Sequence, residues 1–479
     1  MTVSPESGAP DVLVIGAGPA GVEAALAASA AGLRVVLVDE AAAAGGQVYR
    51  AAPRSFTGMT ATPEGRLGDD LRRRLAESAV ETHFGHLVWS VSLGFRVDAL
   101  AEGGPVSWSA RRLVVASGAQ ERVVPFPGWT LPGVIGLAGA TILLKSQHML
   151  PGRRTLVAGQ GPLLLAVAIG ILKAGGEVAG VVDLASRGEW LATGAALLSR
   201  PDLAARGAGW VAQLHRRGVP LLYRQAIRRA TARGDDIEVT VGPVERTGGP
   251  ARGRERNFTV DAVAAGNGLT ASTDVTRLLR AEHVFNEARG GWMPQVDAEF
   301  RTSVDGLFAV GDGAGIAGAA AAALHGRLVG LAIARELGAL APADHATQSA
   351  SLRRSARRAG QFGAAMAGLM ALRPGQVAGI APEAVVCRCE DVTRREIDAA
   401  CAEGVRSANQ LKAWTRCGMG PCQGRICGDI ASALVARHAG TEPRAGMFTG
   451  RTPFRPLPVA QLIKPVDYAE LELPPPAPL

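Results

Sequence analysis

The first 386 residues contain no cysteine, so neither a thiol nor a disulfide carries redox chemistry over most of this chain. Aromatic residues make up only 4%. The core must therefore be built from Ala, Val and Leu, with 61 glycines allowing close backbone contact. With 47% apolar and 20% charged residues, global disorder is excluded and a large core is available. Residues 1 to 10 have neither a basic n-region nor an apolar h-region, so no secretory signal is visible. The apolar run Leu156 to Leu172 is too short and too broken, by Gly159, Gly161 and Pro162, to span a membrane. The expected location is cytoplasmic, with peripheral attachment at the inner membrane left open. A formal charge of +8 is modest for 479 residues and carries no aromatic interleaving, which gives nucleic-acid binding little support.

What is present begins with DVLVIGAGPAGVEAALAASAAGLRVVLVDE, residues 11 to 40. The run Val12 to Ile15 is too short for a helix and passes directly into Gly16, Gly18, Pro19, Ala20 and Gly21. An Ala-rich helix follows to Ala31, Gly32 stops it, and a second strand ends at Asp39. This is a dinucleotide-binding unit in which Gly16 makes the turn, Gly18 admits a pyrophosphate and Gly21 lets the helix sit close on the strand. The phosphates meet free amides at the positive end of the helix. Asp39 is placed to accept hydrogen bonds from ribose hydroxyls, with Glu40 the fallback.

Further along, Gly45, Gly46 and Gln47 form a loop suited to cofactor contact, and a helix is expected around Asp69 to Ser78. The strand RRLVVASGA sets Ser117 and Gly118 beside the nucleotide, and VPFPGWTLPGVIG, residues 124 to 136, reads as a linker. A second unit then repeats the architecture: a strand from Thr155, the turn GQGP with Gly159 and Gly161, a helix to about Lys173, and a strand closing at Asp183. Leu164 replaces its third glycine, and Asp183 favours NAD or another adenine nucleotide over NADP. DAVAAGNGLTAST, from Asp261, reads as the strand returning to the first domain. After it, Gly311 and Asp312 end a strand at a helix start, where the acid can bind a ribityl hydroxyl or a pyrophosphate water.

All six cysteines lie between Cys387 and Cys427. Cys387 and Cys389 form one close pair and Cys417 and Cys422 another, with Cys401 between them and Cys427 beyond. Four thiolates in two pairs suit a sulfur-ligated metal centre. C-x-C with C-x₄-C fits a [2Fe-2S] cluster better than the C-x₂-C pairs usual for zinc. Zinc and bare thiols stay open, whereas disulfides fit poorly with a chain showing no secretion signal. Short helices are expected over 393–403 and 408–414, with Gly418, Gly420 and Gly424 offering amides to sulfur.

In this order, GAGPAG, Asp39, GGQ, VVASGA, GQGP and VGDGAG resemble the two-dinucleotide-domain flavoprotein reductases. The resemblance implies an α/β fold: a discontinuous FAD domain at 11–125 and 261–335, with a nucleotide-binding domain inserted at 126–260. Disulfide-reducing members carry a cysteine pair there, which this chain lacks. Residues 336–380 are expected to be a helical linker. Residues 381–440 resemble the bacterioferritin-associated-ferredoxin-like [2Fe-2S] domain, which implies Cys387, Cys389, Cys417 and Cys422 as ligands; the spacing departs from the longer gap and shorter final pair of the free-standing ferredoxin, which leaves Cys427 as a candidate substitute. Residues 441–479 form a proline-rich tail expected to contact a partner. Together these features resemble the α subunit of heteromeric dye-linked amino-acid dehydrogenases: opine oxidases, D-hydroxyproline and L-proline dehydrogenases, and the middle subunit of hydrogen cyanide synthase.

That resemblance implies an electron-relay role. Oxidation of an amine would fall to a D-amino-acid-oxidase-like β subunit, and this chain would pass electrons through FAD and a [2Fe-2S] cluster to an external acceptor. Some relatives add a small [2Fe-2S] subunit, FMN at the α/β interface, and NAD or ATP in an α-subunit site. No independent catalytic group stands out; His148 and His325 read as structural. The competing readings are a self-contained NAD(P)H-dependent reductase and a binding scaffold.

Overall fold

The computed structural model describes residues 9–51, 63–194, 196, 199–441 and 446–462. Residues 463–479 of the expected partner-contacting tail therefore lie outside the described residues. The first sheet has five parallel strands, in the order Leu307–Ala309, Arg112–Val115, Val12–Ile15, Val35–Asp39 and Glu81–Phe84. The central three are buried along nearly their whole length, as strands covered on both faces must be. The helix Pro19–Ala30 crosses the helix Ala319–Glu336 at backbone contact. A Cβ on Gly326 would lie 2.1 Å from Ala20 O, and one on Gly330 2.6 Å from Ala24 O. Scarce aromatics and abundant Ala and Gly thus become close helix approach.

A second five-stranded parallel sheet runs Leu221–Tyr223, Glu177–Asp183, Arg154–Gly159, Ala262–Gly266 and Val134–Gly136. Two expectations change here. The linker read over 124–136 ends in an edge strand of this sheet. The strand starting after Asp261 belongs to it too, pairing with Arg154–Gly159 in register from Thr155–Ala262 to Gly159–Gly266. Ala262, Val263 and Ala264 are fully buried, a requirement that any central parallel strand meets, so the residues alone did not choose between the sheets. The chain crosses back later, where Leu269–Ala271 pairs antiparallel with Ala119–Glu121. The helix expected near Asp69 spans Pro63–Ala76.

Beyond the second crossing, the region expected to be a helical linker holds a helix of 28 residues, Pro342–Leu369, followed by a short one, Pro374–Ala378. The cysteine-bearing module has its own core, which includes Val386, Ile397, Leu411, Ile430 and Leu434. Its helices Arg394–Ala402 and Ala408–Thr415 agree with the short helices expected over 393–403 and 408–414, and each starts in a capping box, Thr393 with Glu396 and Ser407 with Gln410. A third helix, Gly428–Ala439, follows Cys427 directly. Among the described residues no helix is long and apolar enough to cross a membrane.

Candidate functional site: a nucleotide cavity beside a thiol cluster

A cavity of about 1200 Å³ opens at the carboxyl ends of the first sheet. Gly16, Gly18, Pro19, Ala20, Asp39, Glu40, Gly46, Gln47, Ser117, Gly118, Gly311 and Asp312 all line it, bringing together residues from the two ends of the nucleotide-binding sequence. Gly21 does not line it. Its role is behind the turn, where a Cβ would lie 1.8 Å from Gly16 O. Gly16 has φ +102° and a Cβ there would lie 2.4 Å from Ala116 O. Gly18 caps the Pro19–Ala30 helix with no side chain over its end and no acid in the first turn, which leaves that end open to an anion.

Asp39 and Glu40 both line the cavity. Asp39 accepts from Ala17 N at 2.5 Å and from Ala41 N at 2.7 Å, so its carboxylate braces the glycine turn. Burial raises its pKa, against those two bonds. Glu40 is the more exposed acid at the rim, 3.4 Å from Arg455. Asp312 uses one oxygen, Oδ1, to hold Ala317 N and Gly318 N at 2.9 Å, fixing the loop before the Ala319–Glu336 helix. The glycine cradle, uncapped helix end and cavity suit a dinucleotide pyrophosphate.

Several cavity residues carried no signal in the sequence. Glu121 receives the Ala138 amide at 3.1 and 3.2 Å, and burial pushes its carboxyl up to about 7. Burial lowers the Lys145 pKa, with Glu64 opposing. Arg388, Cys422 and Arg425 reach the cavity from the cysteine module. Neither periodicity nor motif spacing reports such approaches between distant segments.

The second nucleotide turn is closed. A Cβ on Gly161 would lie 2.4 Å from Met370 Sδ, so the residue after the long helix fills the space a phosphate would take. Gly159 packs on Gly266, and Gln376 Nε2 reaches Gln160 Oε1 at 3.4 Å. Asp183 accepts from Trp190 Nε1 at 2.8 Å and from Ala185 N at 2.9 Å, and burial pushes it up to about 6. Gly159, Gly161 and Asp183 thus pack within the inserted fold in this conformation, and Asp183 is buried at 6% exposure.

Five of the six cysteines converge. The sulfurs of Cys387, Cys417 and Cys427 lie within 4.8 Å of one another, all buried. Cys389 and Cys422 make a second contact, sulfur to sulfur, and Cys389 also accepts the Cys422 amide. Hydrogen bonds from Cys417 and Cys427, with the amides of Gly418 and Glu390, pull the Cys387 pKa far down. The pKa values of Cys417 and Cys427 are raised in turn by their bonds to Cys387. Cys401 stands apart on the Arg394–Ala402 helix. Of the expected ligands, Cys387 and Cys417 stand in the buried trio with Cys427, and Cys389 and Cys422 stand in the second contact.

A flavin-type nucleotide fold with a second such fold inserted and a thiol-rich module appended defines a two-dinucleotide-domain flavoprotein oxidoreductase. Residues 10–327 match the pyridine nucleotide-disulphide oxidoreductase family, and residues 381–464 match the sarcosine oxidase A3 domain. The chain is 34% identical over 469 residues to the A subunit of opine oxidase from Agrobacterium tumefaciens (strain Ach5), covering 94% of this chain and 91% of that one. It is also 34% identical over 460 residues to hydrogen cyanide synthase subunit HcnB of Pseudomonas aeruginosa, covering 93% and 97%. The solved L-proline dehydrogenase from P. horikoshii superposes with a TM-score of 0.69 at 20% identity, over 95% of this chain and 80% of that one, a likeness of fold. The chain belongs to the pyridine nucleotide-disulphide oxidoreductase family, in the branch that contains the opine oxidase A subunits and HcnB. It is an oxidoreductase, and membership implies FAD in the first fold. With no cysteine between 10 and 327, that family's disulphide chemistry has no thiols to work with here.

Proposed function

We propose that this chain is the electron-relay subunit of a heteromeric dehydrogenase acting on CH–NH or CH–NH₂ donors of the opine, hydroxyproline, proline or glycine type. The observation that carries the reading is that Cys422, one of the converging thiols, lines the same cavity as Gly16, Gly18 and Asp312. The nucleotide cavity and the thiol-bearing module therefore share a wall, a proximity that supports electron transfer between them. When bound, FAD would supply two-electron storage with one-electron release, and a [2Fe-2S] cluster would supply a one-electron carrier. Gly16, Gly18 and the uncapped Pro19–Ala30 helix would seat the pyrophosphate, and Glu40 the ribose. Four thiolates drawn from Cys387, Cys389, Cys417, Cys422 and Cys427 would hold the cluster.

The amine is oxidised on a D-amino-acid-oxidase-like β subunit in this reading, and a small [2Fe-2S] subunit and FMN at the subunit interface complete the assemblies it allows. The electrons leave to an external acceptor. Met370 against Gly161 and Trp190 on Asp183 argue against the self-contained NAD(P)H-dependent alternative, because they close the place where the nicotinamide dinucleotide would bind. Co-expression with a β-type chain, followed by anaerobic addition of candidate amino acids, tests the reading. Substrate should reduce flavin and cluster absorbance in the complex, while NADH leaves both unchanged. Reduction of the isolated chain by NADH would refute it.

A further inference from the structure

The converging thiols exceed by one what a two-iron cluster takes. Each iron of such a cluster is tetrahedral and already carries two bridging sulfides, so each has room for two thiolates. The structure divides the five thiols into two groups of unequal size. Cys389 and Cys422 form one contact pair, with Cys422 on the cavity wall, enough for one iron. Cys387, Cys417 and Cys427 form a buried trio within 4.8 Å, one more than the second iron accepts.

Resting on the cluster reading above, we propose that Cys387 is the fixed ligand of the inner iron, that either Cys417 or Cys427 completes it, and that the other is a built-in spare. Cys387 is singled out because its sulfur accepts the amides of Gly418 and Glu390, bonds that stabilise a thiolate whichever neighbour joins it. Cys417 and Cys427 are placed alike. Both contact the Cys387 sulfur, and both are buried, at 0% and 2% exposure. They come from opposite ends of one loop, Cys417 just after the Ala408–Thr415 helix and Cys427 at the start of the Gly428–Ala439 helix. Gly418 and Gly424 take positive φ within that loop, a backbone path that glycine adopts without steric cost. When the cluster forms, four thiols lose protons and the fifth keeps its own. In an exchange the departing sulfur takes a proton and the spare gives one up, so neither the cluster's charge nor its electron count changes.

The test uses the full chain purified anaerobically, with Cys417→Ala, Cys427→Ala, the double variant and Cys389→Ala. Iron, acid-labile sulfide, the EPR spectrum after dithionite and the thermal melt are measured for each. About two irons and two sulfides per wild-type chain are expected. Each single variant of the trio should keep both, with the EPR signal shifted in whichever removes the resident ligand. The double variant and Cys389→Ala should fall below a tenth of that content while still melting cooperatively. Loss of the cluster in either single trio variant that still melts cooperatively, or its retention in the double variant, overturns the spare-ligand proposal and leaves the relay reading standing. Zinc, or no iron and sulfide, in the wild-type chain overturns both. A variant that does not melt cooperatively is replaced by its Ser counterpart, read in the same way.

Discussion

The sulfur of Met370 stands 2.4 Å from where a side chain on Gly161 would begin. The glycine that would admit a pyrophosphate in the second fold instead admits a residue from the end of the longest helix. NADH titrated stoichiometrically into the anaerobic chain is therefore expected to leave its flavin absorbance unchanged. Bleaching would mean that Met370 gives way.

Gly18 separates cofactor binding from folding. Its φ of −71° suits alanine, and an added Cβ meets nothing nearer than Gly46 Cα at 3.9 Å. Gly18→Ala should melt within about 2 °C of wild type, as substitutions without a clash or strain do. The methyl occupies the approach to the helix end, so flavin per chain should fall at least tenfold by absorbance. Gly21→Ala should lose both, because its Cβ meets Gly16 O at 1.8 Å.

Glu121 makes stability depend on pH. Its folded pKa, about 7, lies above the ordinary 4.5, so the fold prefers the protonated carboxyl. That contribution is fully present below about pH 4.5 and is lost as pH rises through 7, a difference worth ~3 kcal/mol at most. Glu121→Gln should therefore raise the melting temperature relative to wild type at pH 8, and the gain should vanish near pH 4. An equal gain at both pH values would assign the effect to packing.

Arg122 fastens the cysteine module to the nucleotide folds. Only 4% exposed, it pairs with Asp429 at 2.6 Å and donates to Met370 O at 3.2 Å and Gly290 O at 2.9 Å. Arg122→Ala strands a partly buried carboxylate and two carbonyls, at a cost of about 3–5 kcal/mol. Limited proteolysis should then release the module as a fragment at a denaturant concentration that leaves wild type intact.

Phe448 covers the thiol loop. Cβ atoms on Gly418 and Gly424 would lie 2.6 and 2.5 Å from its ring, and it is 4% exposed. Phe448→Ala removes about 3–5 kcal/mol of packing there. Visible absorbance attributed to the cluster should decay several-fold faster in air than in wild type.

The sequence by itself determined the elements whose physics is local. The glycine turns at Gly16 and Gly159, the short helices over 393–403 and 408–414, and the strands bounded by Asp39 and Asp183 were legible because turn geometry, helix periodicity and burial on both faces each leave a residue-level mark. Only the tertiary structure decided which sheet takes Ala262–Gly266, since a buried parallel strand has the same composition in either one. The same holds for Met370 on Gly161, Trp190 on Asp183, Cys427 within the thiol group and Cys422 on the cavity wall. Each is a contact between segments that periodicity treats separately, and its energy depends on how whole folds pack, a quantity that no stretch of sequence carries.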